Sequence, residues 1–236
     1  MAIVCFEGLN GVGKTTQARA LLARLRDEYP DRGVHLLQDP GVHEQHSAHL
    51  QLRPLARFAD WGNPMTRMML YMAARCELIT TVRHYVAVGD IVVLDRYSAS
   101  FYAYGEDAFE QAAGTREYRE KFGDYSGREN ITALLRICNS FVPDITIVLL
   151  ADVELAIERW HQVSGDRPDV FEQEGRRRME QLDACYRRML AVRAEYPYLG
   201  EDCVAIEFGP HKRAEQLSRE LWNEVLEHRI CRLCCV

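Results

Sequence analysis

The stretch GLNGVGKTT, residues 8–16, constrains the fold of this chain more than any other segment. It packs three glycines, a lysine and two threonines into nine residues. An apolar run precedes it at residues 3–6, and Ala18, Leu21, Leu22 and Leu25 follow at helical spacing. Glycines let the backbone curl until several N–H groups point inward, and the next helix adds the positive end of its dipole. Strand, curled loop and helix in that order form a cradle for phosphate.

The remaining chain repeats the alternation. Runs rich in Val, Ile or Leu at 3–6, 34–37, 91–94, 145–150 and 204–208 read as short buried strands bounded by turn residues. Between them the spacing is helical. Pro30 and Gly33 close the first helical region, and Asn63-Pro64 predicts an N-cap followed by proline at the first helical position. Met65, Met68, Met69, Met72, Cys76 and Ile79 then form a stripe read as core packing. Leu182, Cys185, Tyr186, Met189 and Leu190 form a second, and Ala214, Leu217, Leu221 and Val225 a third. Strands alternating with helices predict an α/β fold, a P-loop three-layer sandwich whose five-stranded parallel sheet is flanked by helices. The 236 residues suit a single domain spanning 1–236, with a short lid at about 159–175 and a C-terminal tail at 230–236.

Charge narrows the partners. The net charge of −6 argues against a dedicated nucleic-acid or membrane-surface binder, which carries a basic excess. No apolar run is long enough to span a bilayer, and the opening MAIVCFEG reads as a strand rather than a signal peptide. A soluble, cytoplasmic protein is expected, with its eight cysteines reduced.

Gly8-x-x-x-x-Gly13-Lys14-Thr15 fits the Walker A pattern. Gly8, Leu9, Asn10, Gly11, Val12, Gly13, Lys14, Thr15 and Thr16 would hold a nucleoside triphosphate, Lys14 reaching the β- and γ-phosphates and Thr15 binding Mg²⁺. Asp95 ends the third apolar run, where ligands gather in open α/β sheets, and can serve the Mg²⁺ shell. Arg96 beside it offers a planar fork for a second phosphate. A kinase acting on a phosphorylated acceptor needs two such sites.

The motifs FEGLNGVGKTTQA, LYMAARCEL, DRYSASFYAYG, PDITIVLLADVELAIER and GDRPDVFE, in that order, resemble those of the thymidylate kinase family, over about residues 1–210. The resemblance implies ATP as donor, Mg²⁺, and phosphorylation of a deoxypyrimidine monophosphate, foremost dTMP to dTDP, by direct in-line transfer in a homodimer. It implies that Arg96 grips the acceptor phosphate, Tyr71 stacks on the base, Arg75 bonds its O4, Ser100 and Phe101 lie near the base, and Tyr104 crowds the sugar 2′ position. The lid would supply Arg159 and Arg167 as catalytic cations, because Gly11 stands where other members carry an arginine in the loop. Arg176, Arg177 and Arg178 are a second candidate set whose plainer reading is a solvated face.

Departures from the family cluster on the acceptor side. Asn10 replaces an acid, Gln38 an arginine and His43 a threonine, and Phe101 a small or polar residue; the segment 106–142 is long. Phe101 motivates a modified acceptor such as 5-hydroxymethyl-dUMP. A deoxynucleoside kinase and a non-enzymatic nucleotide-binding regulator are the remaining alternatives. His43, His46 and His49 share helical spacing without supporting ligands, and Cys231, Cys234 and Cys235 lie in a tail read as frayed. Cys5 and Cys138 are read as small buried hydrophobes.

Overall fold

The computed structural model describes residues 2–39, 63–113, 127–164 and 175–234, together with Leu55 and Glu120. Five strands form one sheet: β1 (Ala2–Gly8), β2 (Val34–Gln38), β3 (Ile91–Asp95), β4 (Ile145–Ala151) and β5 (Cys203–Phe208). Their spatial order is β2-β3-β1-β4-β5 and every neighbouring pair is parallel. All residues of β1, β3 and β4 are buried, which is why those segments read as continuous apolar runs.

The helices follow as α1 (Lys14–Glu28), α2 (Pro64–Ala87), α3 (Ser98–Ala113), α4 (Gly127–Ile137), α5 (Val153–Ser164), α6 (Gly175–Ala191), α7 (Ala214–Glu220) and α8 (Glu227–Cys234). The strand period of two divides the sheet's side chains. Ile3, Cys5, Val92 and Leu94 pack on Leu78 and Val82 of α2. Val4, Phe6 and Val93 join Ala18, Leu21 and Leu25 of α1 in the main core.

Local signals set several boundaries. Asn63 caps α2, its Oδ1 accepting from Met65 N at 2.9 Å, with Pro64 following. The methionine stripe holds only in part: Met68 and Met72 are buried, whereas Met69 is 40% exposed. Each residue turns a helix by about 100°, so adjacent methionines cannot both face the core. In α7, Ala214 is likewise exposed while Leu217 is buried. The tail expected to fray from residue 230 is instead helical through Cys234. A π-helical turn at Leu221–Leu226 leads into it, and Leu226 and Ile230, four apart, are both buried and continue the apolar side.

Strand register fixes the rim of the site. Gln38 pairs with Asp95, and Asp95 with Phe6, so the C-terminal ends of β2, β3 and β1 open together where the phosphate loop begins. The segment expected as lid starts inside α5, because Arg159 is helical; residues 165–174, with Arg167, lie outside the described residues, as do His43, His46 and His49.

Candidate active site

Two glycines shape the loop between β1 and α1. Gly13 (φ 88°) caps α1 and Gly11 (φ 80°) turns the chain beneath α5. Both angles lie in the left-handed region. A Cβ on Gly11 would run into the carbonyl of Ala156 and stand 3.0 Å from the backbone N of Trp160. The backbone of α5 therefore occupies the space a side chain at position 11 would need. That approach sets Arg159 and Trp160 in the wall of the cavity beside the loop.

Lys14 is buried, and its Nζ donates to Leu9 O at 2.5 Å. Burial, with the positive charge of Arg96 adding to it, lowers the Lys14 pKa well below the ordinary lysine value. Thr15 Oγ1 donates to Asp95 Oδ2 at 2.5 Å, while Asp95 Oδ1 is buried without a partner among the described residues. A hydroxyl and a carboxylate with a spare oxygen form a hard donor set suited to Mg²⁺, which takes one or two carboxylates plus phosphate oxygens and water.

The turn from β3 into α3 presents Arg96 with φ 74°, unusual for a residue with a Cβ. Its backbone N donates to Phe6 O at 2.9 Å. Its Nη1 donates to Gly8 O at 3.0 Å and Ser100 Oγ at 2.9 Å, and reaches Tyr186 OH at 3.5 Å. Its Nη2 donates to Asn10 Oδ1, and the guanidinium lies 5.4 Å from the Tyr104 ring centroid. Behind it, Glu7 is wholly buried and accepts from Tyr97 N at 2.8 Å, Ala99 N at 3.0 Å, Ser100 N at 3.2 Å and Ser100 Oγ at 2.5 Å. Glu7 thereby satisfies the orphan N–H groups at the start of α3. Burial raises its pKa, and the Ser100 hydrogen bond and Arg96 oppose that rise.

Arg75 on α2 lies between two rings, 4.7 Å from the centroid of Tyr97 and 4.6 Å from that of Phe101. It pairs with Asp39, just past β2, and its Nη2 donates to Tyr97 O at 2.9 Å. Its Nε and Nη1 are buried without partners among the described residues. Tyr71, one turn earlier on α2, lines the same space.

A single cavity of 770 Å³ brings these residues together. Residues 10–17 of the loop and α1 line it, with Gln38, Asp39, Tyr71, Arg75, Asp95, Arg96, Ser100, Phe101, Tyr104 and Arg159. Gly8 and Leu9 do not; their carbonyls hold Arg96 and Lys14 from behind. Arg176 and Arg177 are exposed, Arg176 pairing with Glu154, whereas Arg178 is buried and donates to Tyr104 O at 3.4 Å. Glu7 and Asp39 were not singled out from the sequence, and Tyr186 was placed only in an apolar stripe, without its contacts to Ser100 and Arg96. The one signal available for Glu7 was an acid inside an otherwise apolar run, IVCFEG.

The family model for thymidylate kinase matches residues 6–137. The chain belongs to the thymidylate kinase family. Membership makes it a nucleoside monophosphate kinase, a phosphotransferase whose substrate is a nucleotide monophosphate. The thymidylate kinase of Pelobacter propionicus is 32% identical over 178 residues, 72% of this chain and 73% of the relative. That of Anaplasma marginale is 31% identical over 163 residues, 66% and 67%. The Rhodopirellula baltica enzyme is 30% identical over 162 residues, 66% of this chain and 57% of its own length, so the match spans little more than half of that relative. In fold, the chain resembles the thymidylate kinase structure from Candida albicans, with a TM-score of 0.69 at 20% identity over 97% of this chain and 92% of that one. The thymidylate kinase match takes in the phosphate loop, Arg75, Asp95, Arg96 and α3; Arg159 and Tyr186 lie beyond it. No helix among the described residues is long and apolar enough to cross a membrane.

Proposed function

We propose that this kinase transfers the γ-phosphoryl group of ATP to a deoxypyrimidine monophosphate, foremost dTMP giving dTDP, by direct in-line displacement. One observation carries the reading: Lys14 and Arg96 line the same cavity, and so do Tyr71 and Arg75. A donor tail on the loop and an acceptor phosphate at Arg96 would then face each other across one space.

The transferring group spreads negative charge over its oxygens, so catalysis rests on positioning and electrostatic stabilisation. Lys14 and the N–H groups of residues 10–16 would hold the ATP phosphates. Arg96, fixed by Gly8, Asn10 and Ser100, would present its remaining N–H groups to the acceptor phosphate. Tyr71 would stack on the base, the Nε and Nη1 of Arg75, which have no partner among the described residues, would donate to its O4, and Tyr104 would crowd the 2′ position. Thr15 and Asp95 would hold Mg²⁺, which when bound neutralises phosphate charge. Arg159 on α5, and Arg167 from the lid, would add positive charge beside the transferring group. By the same family likeness the enzyme acts as a homodimer of single-domain chains.

Phe101 supports a second reading. Its buried ring stacks on Arg75 and lines the cavity, where it offers no hydrogen bond to a base edge. A 5-modified dUMP such as 5-hydroxymethyl-dUMP is the matching acceptor. A coupled ADP-release screen over dTMP, dUMP, 5-hydroxymethyl-dUMP, dCMP and thymidine, with an acceptor-free control, tests both. Turnover highest with dTMP, and lost in Lys14→Ala, is expected; preference for the 5-hydroxymethyl compound selects the second reading. Thymidine as best acceptor, or ADP release that needs no acceptor, overturns both.

A further inference from the structure

Cys76 on α2 and Cys138 after α4 are 62 positions apart, yet Cys76 Sγ donates to Cys138 Sγ at 3.2 Å. Both thiols are free and half-buried, so a small oxidant reaches them. The approach is built into the packing. Arg83, seven residues after Cys76 and thus on the same side of α2, donates through Nη2 to Asn139 O at 2.7 Å. The turn at 138–139 is therefore held to α2 at two points, one of them the sulfur pair. Asn139, with φ 54°, reverses the chain at that point.

We propose that Cys76 and Cys138 are an oxidative modification site that closes into a reversible intramolecular disulfide. With hydrogen peroxide as oxidant, one thiolate attacks the O–O bond, becomes a sulfenic acid and releases hydroxide, which takes up a proton to leave as water. The second sulfur then attacks the first, its proton leaves with the sulfenic hydroxyl as a second water, and the S–S bond forms. Two thiols and one peroxide give one disulfide and two waters. A dithiol reverses the step by thiol–disulfide exchange. Burial, reinforced by the Cys76 hydrogen bond, pushes the Cys138 thiol up to about 11, which suits Cys138 to the second, resolving step. The bond would tie α2, one residue beyond Arg75, to the end of α4.

The full-length protein carries a direct readout that needs no turnover, so its outcome is independent of the function proposed above. Tryptic cleavage places Cys76 in the peptide 76–83 and Cys138 in the peptide 137–159, each with a single cysteine. After peroxide, blocking of remaining thiols and digestion, mass spectrometry is expected to find these two peptides joined with loss of two hydrogens, and separate again after dithiothreitol. Cross-linking a loop of this length constrains the unfolded chain, so the melting temperature should rise by about 5 °C or more on oxidation. Neither change should occur in Cys76→Ser, and both should persist in Cys231→Ser. Both peptides recovered singly and alkylated after peroxide, or joined to other cysteines or to another chain, would overturn the proposal.

Discussion

Asp39 and Arg75 form an ion pair in which the two side chains are only 3% and 2% exposed, and the rings of Tyr97 and Phe101 cover the guanidinium. Removing one partner of such a pair strands the other charge in a low-dielectric site, at a cost of about 3–5 kcal/mol. Asp39→Ala should lose stability of that order, read from the urea midpoint. The double variant Asp39→Leu/Arg75→Met removes both charges and should recover most of the loss, while its KM for the acceptor stays raised. Asp39→Ala as stable as the parent would refute the pair's structural weight.

Gly11 joins the phosphate loop to α5. Its φ of 80° disfavours any side chain, and a Cβ would strike the Ala156 carbonyl. Gly11→Ala should therefore push α5 outward and take Arg159 with it. Misplacement of about 1 Å can cost roughly 100-fold in rate. A fall in kcat of about that size is expected, with a lowered melting temperature. Full activity in Gly11→Ala would show that α5 does not depend on this contact.

Much of this fold was legible because its signals are local. The five apolar runs and the spacing from Gly8 to Thr15 lie within short windows, and they mark the strands and the rim where the cavity opens. Asp39 and Glu7 escaped notice, and Tyr186 was read only as part of an apolar stripe, because their polar partners are distant. Arg75 is 36 positions from Asp39, Tyr97 is 90 from Glu7 and Tyr186 is 86 from Ser100. No window of helix or strand period contains such pairs. Cys138 does pack against the main core, though only half-buried, and its contact with Cys76 was illegible for the same reason, the two lying 62 positions apart. Gly11 was read only as a loop glycine standing where other family members carry an arginine; the cause of a glycine there, the backbone of α5, arrives from some 145 residues along the chain.

Lys14 should take up a proton when nucleotide binds. In the free protein, burial and then the Arg96 charge hold its pKa well below the ordinary lysine value. Phosphate oxygens favour the charged form and raise it again. At any pH above the lowered value and below the restored one, binding converts neutral Lys14 to ammonium. Calorimetric titration with MgATP in buffers of different ionisation enthalpy counts the protons. Net uptake should grow as pH is raised through the lowered value, relative to Lys14→Met under the same conditions. Equal proton counts in the two proteins would show that Lys14 is already charged before nucleotide arrives.

Tyr186 reaches the site only through others, and its effect should be correspondingly selective. Its OH lies 3.0 Å from Ser100 Oγ and 3.5 Å from Arg96 Nη1, and the ring is fully buried. Arg96 meanwhile sits in a left-handed conformation that costs of order 1–3 kcal/mol and persists only where its surroundings hold it. Tyr186→Phe keeps the packing and deletes one hydrogen-bonding group, worth about 0.5–1.5 kcal/mol. If that group steadies Arg96 for the acceptor, the KM for the monophosphate should rise about 3- to 10-fold while the KM for ATP is unchanged, since Lys14 and the loop touch neither Tyr186 nor its hydroxyl partner Ser100 through a hydrogen bond. A purely structural tyrosine would instead lower the melting temperature and leave the ratio of the two KM values where it was.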